Sequence, residues 1–147
     1  MSLSERLQDD LKKAMKDKDK VRLSVIRMVR SAVKNREIEL GTTLSDDEVT
    51  VVIQKELKQR RDSLQAFESA GRTDLIDEVK AEISVLTEYL PAQMSEDELR
   101  EITKRIIAEV GAKAKSDVGK VMGKLMPEIR GKADGKLAQQ VVQSLLP

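Results

Sequence analysis

The sequence predicts an all-α protein: an N-terminal four-helix bundle or hairpin domain over residues 1–91, followed by a small three-helix domain over residues 92–147. Three observations predict this class. Aliphatic residues recur at three- and four-residue spacing along most of the chain. Helix-capping residues separate these stretches, and no stretch keeps the two-residue alternation of a half-buried strand.

The first two helices are predicted from their apolar stripes. The first is expected from about Ser4 to Met15. Its stripe consists of Leu3, Leu7, Leu11, Ala14 and Met15. A charged segment, residues 16–20, leads into the second helix, which we expect to end at Gly41, a residue type that tolerates the positive φ of a C-terminal cap. The second stripe consists of Val25, Ile26, Val29, Ala32 and Val33.

The third helix is predicted to begin at a capping box, with Ser45 at the cap and Glu48 three residues later, and to stop at Gly71. Its basic residues are expected on a solvated face. They are Lys55, Lys58, Arg60 and Arg61. Thr73 or Asp74 is expected to cap the fourth helix. Its stripe consists of Leu75, Ile76, Val79, Ile83, Leu86 and Leu90, ahead of Pro91.

The C-terminal half is predicted to hold three helices. A second capping box, Ser95 with Glu98, opens the first of them, and Gly111 closes it. Ser116 or Asp117 is expected to cap a short helix that runs through Met126. Pro127 is placed near the end of that helix, because proline inside a helix costs about 3 kcal/mol. Asp134 is expected to cap the last helix.

The composition excludes several classes of catalytic and metal site. The chain has no Cys, no His and no Trp, and its only aromatic residues are Phe67 and Tyr89. Disulfides, thiol nucleophiles and the usual imidazole base or ligand are therefore absent. Acidic clusters such as Glu96–Glu98 have a sufficient explanation as first-turn residues of helices. We predict no catalytic residue, metal site or cofactor, and expect no catalytic activity from this chain alone.

The location is predicted from two absent signals. No stretch approaches the roughly 20 apolar residues that span a bilayer, and the first residues lack the pattern of a secretory signal. We therefore expect a cytoplasmic protein with no membrane partner.

Charge is segregated along the chain, although the net charge is only +1. Residues 12–36 carry a net +8, residues 37–109 a net −9, and residues 111–147 a net +4. Such asymmetry bears on partners rather than on the fold. One interpretation is that basic and acidic helices of the chain face each other, and the other is that the basic segments bind an external partner.

A repeated G-K-x-x-G-K pattern begins at Gly119 and again at Gly131. It is not a phosphate loop, since that motif needs four residues between its glycines, Ser or Thr after the Lys, and a preceding strand. The glycines concerned are Gly119, Gly123, Gly131 and Gly135. For Gly119 and Gly123 we favour close packing of another helix over close approach of a partner, because a glycine inside a helix costs about 1 kcal/mol.

The basic residues around these glycines are candidate RNA contacts. They are Lys113, Lys115, Lys120, Lys124, Arg130, Lys132 and Lys136. They are either ordinary solvated charges or a footprint for phosphates. Because this half has no aromatic residue on which bases could stack, a structured RNA recognised by its backbone is the more compatible nucleic acid.

Two stretches carry a resemblance to a known family. The segments LPAQMSEDEL at 90–99 and GKVMGKLM at 119–126, together with residues 131–135, resemble the YqeY-like family. Residues 92–147 also resemble the tail domain of the B subunit of the glutamine-dependent aspartyl/glutamyl-tRNA amidotransferase. The resemblance implies two helical domains and engagement of tRNA through residues 113–136. In the amidotransferase the tail domain contacts tRNA, while amide formation takes place in a separate catalytic module that this chain lacks. The family label of glutamine-using carbon–nitrogen ligase therefore does not imply that activity here.

We therefore expect an accessory protein that binds tRNA or another structured RNA through its C-terminal half. The alternative is a protein-interaction module that docks a protein partner on the basic segment 12–36 or the acidic middle, without binding RNA.

Overall fold

The computed structural model describes residues 1–147 and consists of helices without any strand, which confirms the all-α prediction. The α-helices are α1 (Leu3–Asp17), α2 (Lys20–Leu40), α3 (Asp46–Ala70), α4 (Thr73–Thr87), α5 (Glu96–Val110), α6 (Val118–Ile129) and α7 (Gly135–Leu145). A short 3-10 helix, Lys115–Asp117, precedes α6. None of these helices has the length and apolar character needed to cross a membrane.

Internal contacts divide the chain into two compact units, Met1–Pro91 and Ala92–Pro147. We call them the N-terminal unit and the C-terminal unit. Each has its own apolar core, built from the stripes of its own helices. The largest fully buried residues of the N-terminal core are Leu7, Ile26, Ile53, Leu57 and Leu86. Those of the C-terminal core are Leu99, Ile106, Leu125 and Ile129.

Helices α1 and α2 form a tight hairpin. Only Lys18 and Asp19 separate them, and Lys18 takes the left-handed conformation (φ 56°) in which the helix ends. The side chain of Asp19 then accepts a hydrogen bond from the N–H of Arg22 and so caps α2. So short a connection returns the chain alongside itself, so that the two helices lie antiparallel. Met15, expected in the apolar stripe, lies 53% exposed at the end of α1.

The predicted helix ends are confirmed where they depend on local hydrogen bonds. At Ser45 both halves of the capping box form, whereas at Ser95 the hydroxyl accepts from the Glu98 N–H without the reciprocal bond. Three glycines take the left-handed conformation at a helix C-terminus, as the sequence predicts for such residues. They are Gly41, Gly71 and Gly111.

The start of α4 differs from the prediction. Thr73 is the first helical residue and Arg72 occupies the capping position, so neither Thr73 nor Asp74 caps this helix. The Arg72 guanidinium instead donates to the Asp74 carboxylate at 3.3 and 3.2 Å. The bond from the Arg72 N–H to the Phe67 carbonyl closes α3, and the chain re-enters a helix within two residues. That short joint leaves no extended residue whose side chain could fold back onto the first turn.

Arg60 corrects the expectation that all the basic residues of α3 are solvated. It is 7% exposed and forms ion pairs with Glu56 on its own helix and, at 4.0 Å, with Glu82 on α4. Its Nη2 also lies 3.0 Å from the Met28 sulfur on α2. Arg60 is buried because α2 and α4 pack against the side of α3 that bears it.

Helix α6 is longer than predicted. It continues to Ile129 and contains Pro127, whereas the sequence indicated an end at Met126. Pro127 removes one hydrogen bond to the Gly123 carbonyl. Ile129 is fully buried in the C-terminal core, and its burial holds the last turn in helical geometry despite that loss.

Candidate nucleic-acid interface

One side of α6 is apolar and buried, and the other carries the glycines and lysines that the sequence singled out. Val121, Leu125 and Ile129 are fully buried, and Met122 and Met126 pack against the same core. On the opposite side stand Gly119, Lys120, Gly123, Lys124 and Pro127. Because four residues advance a helix by slightly more than one turn, Gly119 and Gly123 form one row and Lys120 and Lys124 the row beside it.

The packing explanation for Gly119 and Gly123 is wrong within this chain. A Cβ atom built on either glycine would meet nothing within 4 Å, so no neighbouring helix approaches them. Gly119 and Gly123 are both exposed. The two glycines therefore leave helix backbone open on the surface, although alanine would make the helix more stable.

The segment before α6 is shaped by Asp117. Its carboxylate accepts hydrogen bonds from the backbone N–H groups of Lys113 (2.9 Å) and Ala114 (3.3 Å). These bonds hold the pKa of Asp117 below its usual range. Asp117 occupies the capping position of α6, as one of the two predicted alternatives, but its side chain bonds backwards along the chain and makes no cap bond to α6. Lys113 and Lys115 are exposed on this bent segment.

The turn after α6 is anchored by two residues that the sequence did not indicate. Gly131 is buried with a positive φ of 78°, and its carbonyl accepts a hydrogen bond from Gln93 Nε2 at 2.8 Å. The carbonyl of Lys132 accepts from the Met94 N–H at 2.9 Å. Residues 93 and 94 therefore fix the turn that exposes Lys132. No local pattern could have identified them, because the bonds join residues 38 positions apart in each case.

Gly135 differs from the glycines of α6. It is the first residue of α7, and a Cβ atom there would lie 3.5 Å from Met126 Cε, an ordinary contact distance. The Met126 side chain of α6 therefore lies next to the start of α7, which includes Lys136. Lys136 is exposed.

The seven candidate cations are all exposed: Lys113, Lys115, Lys120, Lys124, Arg130, Lys132 and Lys136. The structure distributes them along α6 and at both its ends and does not gather them in a pocket. A helix of 12 residues is about 18 Å long. The candidate cations are therefore spread along the length of α6 and at both its ends, and we call the six lysines among them the row of lysines.

The six lysines of this set form no salt bridge, although the charge of Lys120 helps to lower the pKa of Asp117. The salt bridges of the C-terminal unit use Arg100, Lys104 and Arg105 instead. Arg105 in particular binds Glu128 of α6 at 2.5 Å and Glu109 at 3.0 Å. The acid next to the row is thus neutralised by a cation outside it, and the lysines keep their charge available.

No group of three or more acidic side chains is placed to hold a metal ion. The acidic clusters lie in the first turns of α3 and α5, where they stand at the positive end of each helix. The two clusters consist of Asp46, Asp47 and Glu48 in α3 and Glu96, Asp97 and Glu98 in α5.

Comparisons with known proteins identify relatives over most of the chain. Residues 4–146 match the YqeY family, described as Yqey-like protein. A protein of Pyrenophora tritici-repentis named "Altered inheritance of mitochondria protein 41, mitochondrial" is 31% identical, over 96% of this chain and 79% of its own length. Proteins of the same name from Clavispora lusitaniae (29% identical, 99% of this chain, 86% of the relative) and Saccharomyces cerevisiae (32%, 81% and 68%) are also similar.

These relatives contradict the cytoplasmic location expected from the sequence, because the name of each of the three includes "mitochondrial". The expectation used the absence of a secretory signal and of an apolar span. Both absences concern passage into or across a membrane, and they do not distinguish one aqueous compartment from another. The match over residues 4–146 does decide the family: the chain belongs to the YqeY-like family.

Proposed function

We propose that the protein binds tRNA or another structured RNA through the exposed side of α6 and the segments at its two ends. The observation that carries the proposal is the row of six lysines that form no salt bridge, beside two helix glycines that no packing contact requires. The likeness of residues 92–147 to the tRNA-contacting tail domain of the amidotransferase B subunit supports the same function.

The chemistry of the row suits a phosphate backbone. Lysine binds phosphate as a point charge and does not impose the planar geometry of arginine. Each neutralised phosphate releases a condensed counterion, so that affinity depends steeply on salt. At Gly119 and Gly123 the missing side chains let a sugar–phosphate chain lie close to the helix while Lys120 and Lys124 reach it from the neighbouring row.

The choice of RNA follows from what the C-terminal unit lacks. The two aromatic residues of the chain, Phe67 and Tyr89, both belong to the N-terminal unit, and Tyr89 is 6% exposed. Single-stranded RNA is bound largely by stacking bases on aromatic rings. Folded RNA is recognised by its shape and its backbone, which requires cations rather than rings. We therefore expect tRNA to bind more tightly than an unstructured homopolymer.

The test is a salt titration of binding. Fluorescence anisotropy of labelled bulk tRNA is measured with the full chain between about 50 and 200 mM salt. The variant Lys120→Gln/Lys124→Gln/Lys132→Gln should weaken binding and reduce the slope of log K against log salt by about 2–3, close to one for each lost phosphate contact. Circular dichroism checks that the variant remains helical.

A matched control removes the same charge elsewhere. Lys55→Gln/Lys80→Gln/Lys104→Gln changes three exposed lysines of other helices, α3, α4 and α5, and should leave the slope nearly unchanged. No binding of tRNA at low salt would overturn the proposal. So would equal losses in the two triple variants, because binding would then depend on net charge alone.

A further inference from the structure

An open groove of about 640 Å³ lies between α1 and α2 in the N-terminal unit, whereas the row of lysines belongs to the C-terminal unit. Its floor is apolar: Leu7 and Val33 are 2% and 7% exposed, and Leu11 is half-buried. The α2 wall carries Arg27, Arg30, Ser31 and Lys34, and the α1 wall carries Ser4, Glu5 and Gln8. We infer that this α1–α2 groove binds an acidic amphipathic helix of a protein partner.

The charge of the groove points to an acidic occupant. Arg27, Arg30 and Lys34 are exposed, and none of them forms a salt bridge or hydrogen bond within the protein. Two other arginines of the same helix are neutralised: Arg22 binds Glu88 at 2.6 Å, and Arg36 binds Glu39 at 3.0 Å. The cations that face the groove are thus the ones left without an internal partner.

The two acids of the groove, Glu5 and Glu37, offset these three cations only in part and leave a net charge of +1. The carboxylate of Glu37, at one end, accepts a hydrogen bond from the Leu44 N–H at 2.9 Å and holds the α2–α3 loop. Glu5 lies in the first turn of α1, where its charge stabilises the helix N-terminus. The remaining polar residues of the α1 wall, Ser4 and Gln8, are neutral.

The shape of the groove favours a helix. The wall on α2 runs over the eleven residues from Arg27 to Glu37, which rise about 15 Å along the helix. Three turns of an incoming helix span the same length. The spacing of three and four residues between Arg27, Arg30 and Lys34 puts them in one line, which matches Asp or Glu at the same spacing on a helix lying alongside. Apolar residues of that helix would pack on the apolar floor at the half-buried Leu11, in the helix-in-groove mode of recognition.

RNA fits the groove less well. Phosphates gain nothing from an apolar floor, and the cations stand on one wall only. The inference does not depend on the proposed function, because the groove and the row of lysines lie in different units of the chain. The test below therefore distinguishes the acidic peptide from two other occupants of the groove, RNA and a second copy of this chain.

The experiment uses isotope-labelled full-length protein and two synthetic helical peptides of about 14 residues. Both peptides carry leucines at three- and four-residue spacing; one has glutamates beside them and the other has lysines. The glutamate peptide should shift the amide signals of Gln8, Leu11 and Ser31 and leave those of the C-terminal unit unchanged. It should bind at least about tenfold more tightly than the lysine peptide, since its charges complement the wall.

Charge variants make the test specific. Arg27→Gln/Arg30→Gln/Lys34→Gln should reduce binding of the glutamate peptide to the level of the lysine peptide. The control Lys12→Gln/Lys13→Gln/Lys16→Gln removes the same charge from exposed positions of α1 outside the groove and should change affinity less than about twofold.

Four results would overturn the inference: equal affinity for the two peptides, equal losses in the two triple variants, shifts of these amides by tRNA in place of the peptide, or concentration-dependent shifts of them without any ligand. The third would assign the groove to RNA and the fourth to a second copy. Binding of tRNA at α6 is measured with other variants, so either proposal can fail alone.

Discussion

Arg22 and Glu88 are joined by two parallel hydrogen bonds, from Nη1 to Oε2 at 2.6 Å and from Nη2 to Oε1 at 3.0 Å. Arg22 lies in the first turn of α2, and Glu88 follows the last residue of α4. The bonds from Arg22 lower the pKa of Glu88 below its ordinary value. Arg6 of α1 donates to the Glu88 carbonyl at 3.1 Å. The end of α4 is therefore bonded to both α1 and α2.

We expect the Arg22–Glu88 pair to stabilise the N-terminal unit by about 1 kcal/mol, since the pair is bidentate but the Glu88 side chain is 49% exposed. The pKa of Glu88 is lower in the folded than in the unfolded state. Its contribution is therefore complete above the unfolded value of about 4.3 and is lost as the pH falls through the folded value. A double-mutant cycle with Arg22→Met and Glu88→Gln, followed by urea unfolding, measures the coupling. Coupling that persists unchanged in strong acid would contradict the prediction.

Tyr89 should ionise only at a pH above the ordinary value of about 10. Burial raises the pKa of its phenol, and the hydrogen bond that the phenol donates to Asp10 raises it further. Arg6 stands 4.5 Å above the ring centre and opposes these effects only in part. Because Tyr89 is the only tyrosine and the chain has no tryptophan, the ultraviolet absorbance of tyrosinate reports this one residue.

The variant Asp10→Asn should lower the pH at which half of Tyr89 is ionised. That midpoint should stay above the ordinary value, because Tyr89 remains buried. Asp9→Asn, at the exposed neighbouring position, is the control and should leave the midpoint unchanged. Since the folded pKa of Tyr89 is raised, the N-terminal unit should lose stability as the pH rises from the unfolded towards the folded value. An unfolding free energy that stays constant across this range would refute the assignment.

Arg60 holds two half-buried carboxylates, Glu56 and Glu82. Their side chains are 14% and 20% exposed, and that of Arg60 is 9% exposed. Arg60→Ala should cost about 3–5 kcal/mol, because both acids lose the cation that compensates them. Unfolding is followed by the fluorescence of Tyr89, which reports the N-terminal unit alone.

The rescue variant is Arg60→Met/Glu56→Gln/Glu82→Gln. It removes both carboxylates together with the cation and should recover most of the unfolding free energy that Arg60→Ala loses. If the rescue variant were as unstable as Arg60→Ala, the cause would be lost packing rather than uncompensated charge.

Gly119→Ala and Gly123→Ala should stabilise α6 by about 1 kcal/mol each, because a Cβ atom at either position meets open space and alanine is the better helix former. If RNA lies against this surface, the same methyl groups should weaken tRNA binding by about fivefold, close to 1 kcal/mol. Thermal unfolding and anisotropy on the same samples measure both effects.

Gly131→Ala is the contrasting variant. At a φ of 78° alanine is strained, so this substitution should destabilise the C-terminal unit by about 1–2 kcal/mol. Alanine variants of Gly119 and Gly123 that gain stability and bind tRNA as before would show that the open backbone is not used for binding.

The candidate site was predictable in its residue types but not in its arrangement. Lysines are expected on a surface wherever the chain places them, so their exposure follows from composition. The reason for Gly119 and Gly123 could not be predicted, because the absence of a neighbour over a glycine depends on how α5 and α7 cover α6. The anchoring of the turn at Gly131 by Gln93 likewise needs two segments that only folding brings together.

The beginnings and ends of most helices could be predicted from the local sequence. The caps at Ser45, Ser95, Gly41, Gly71 and Gly111 are hydrogen bonds between residues no more than about five positions apart, so the local sequence is sufficient to predict them. Three other features could not be predicted in this way, because they depend on tertiary contacts. They are the burial of Arg60, the extension of α6 past Pro127 to Ile129, and the pairing of Arg22 with Glu88. Burial and long-range pairing depend on which surface lies opposite a residue, and that surface comes from another part of the chain.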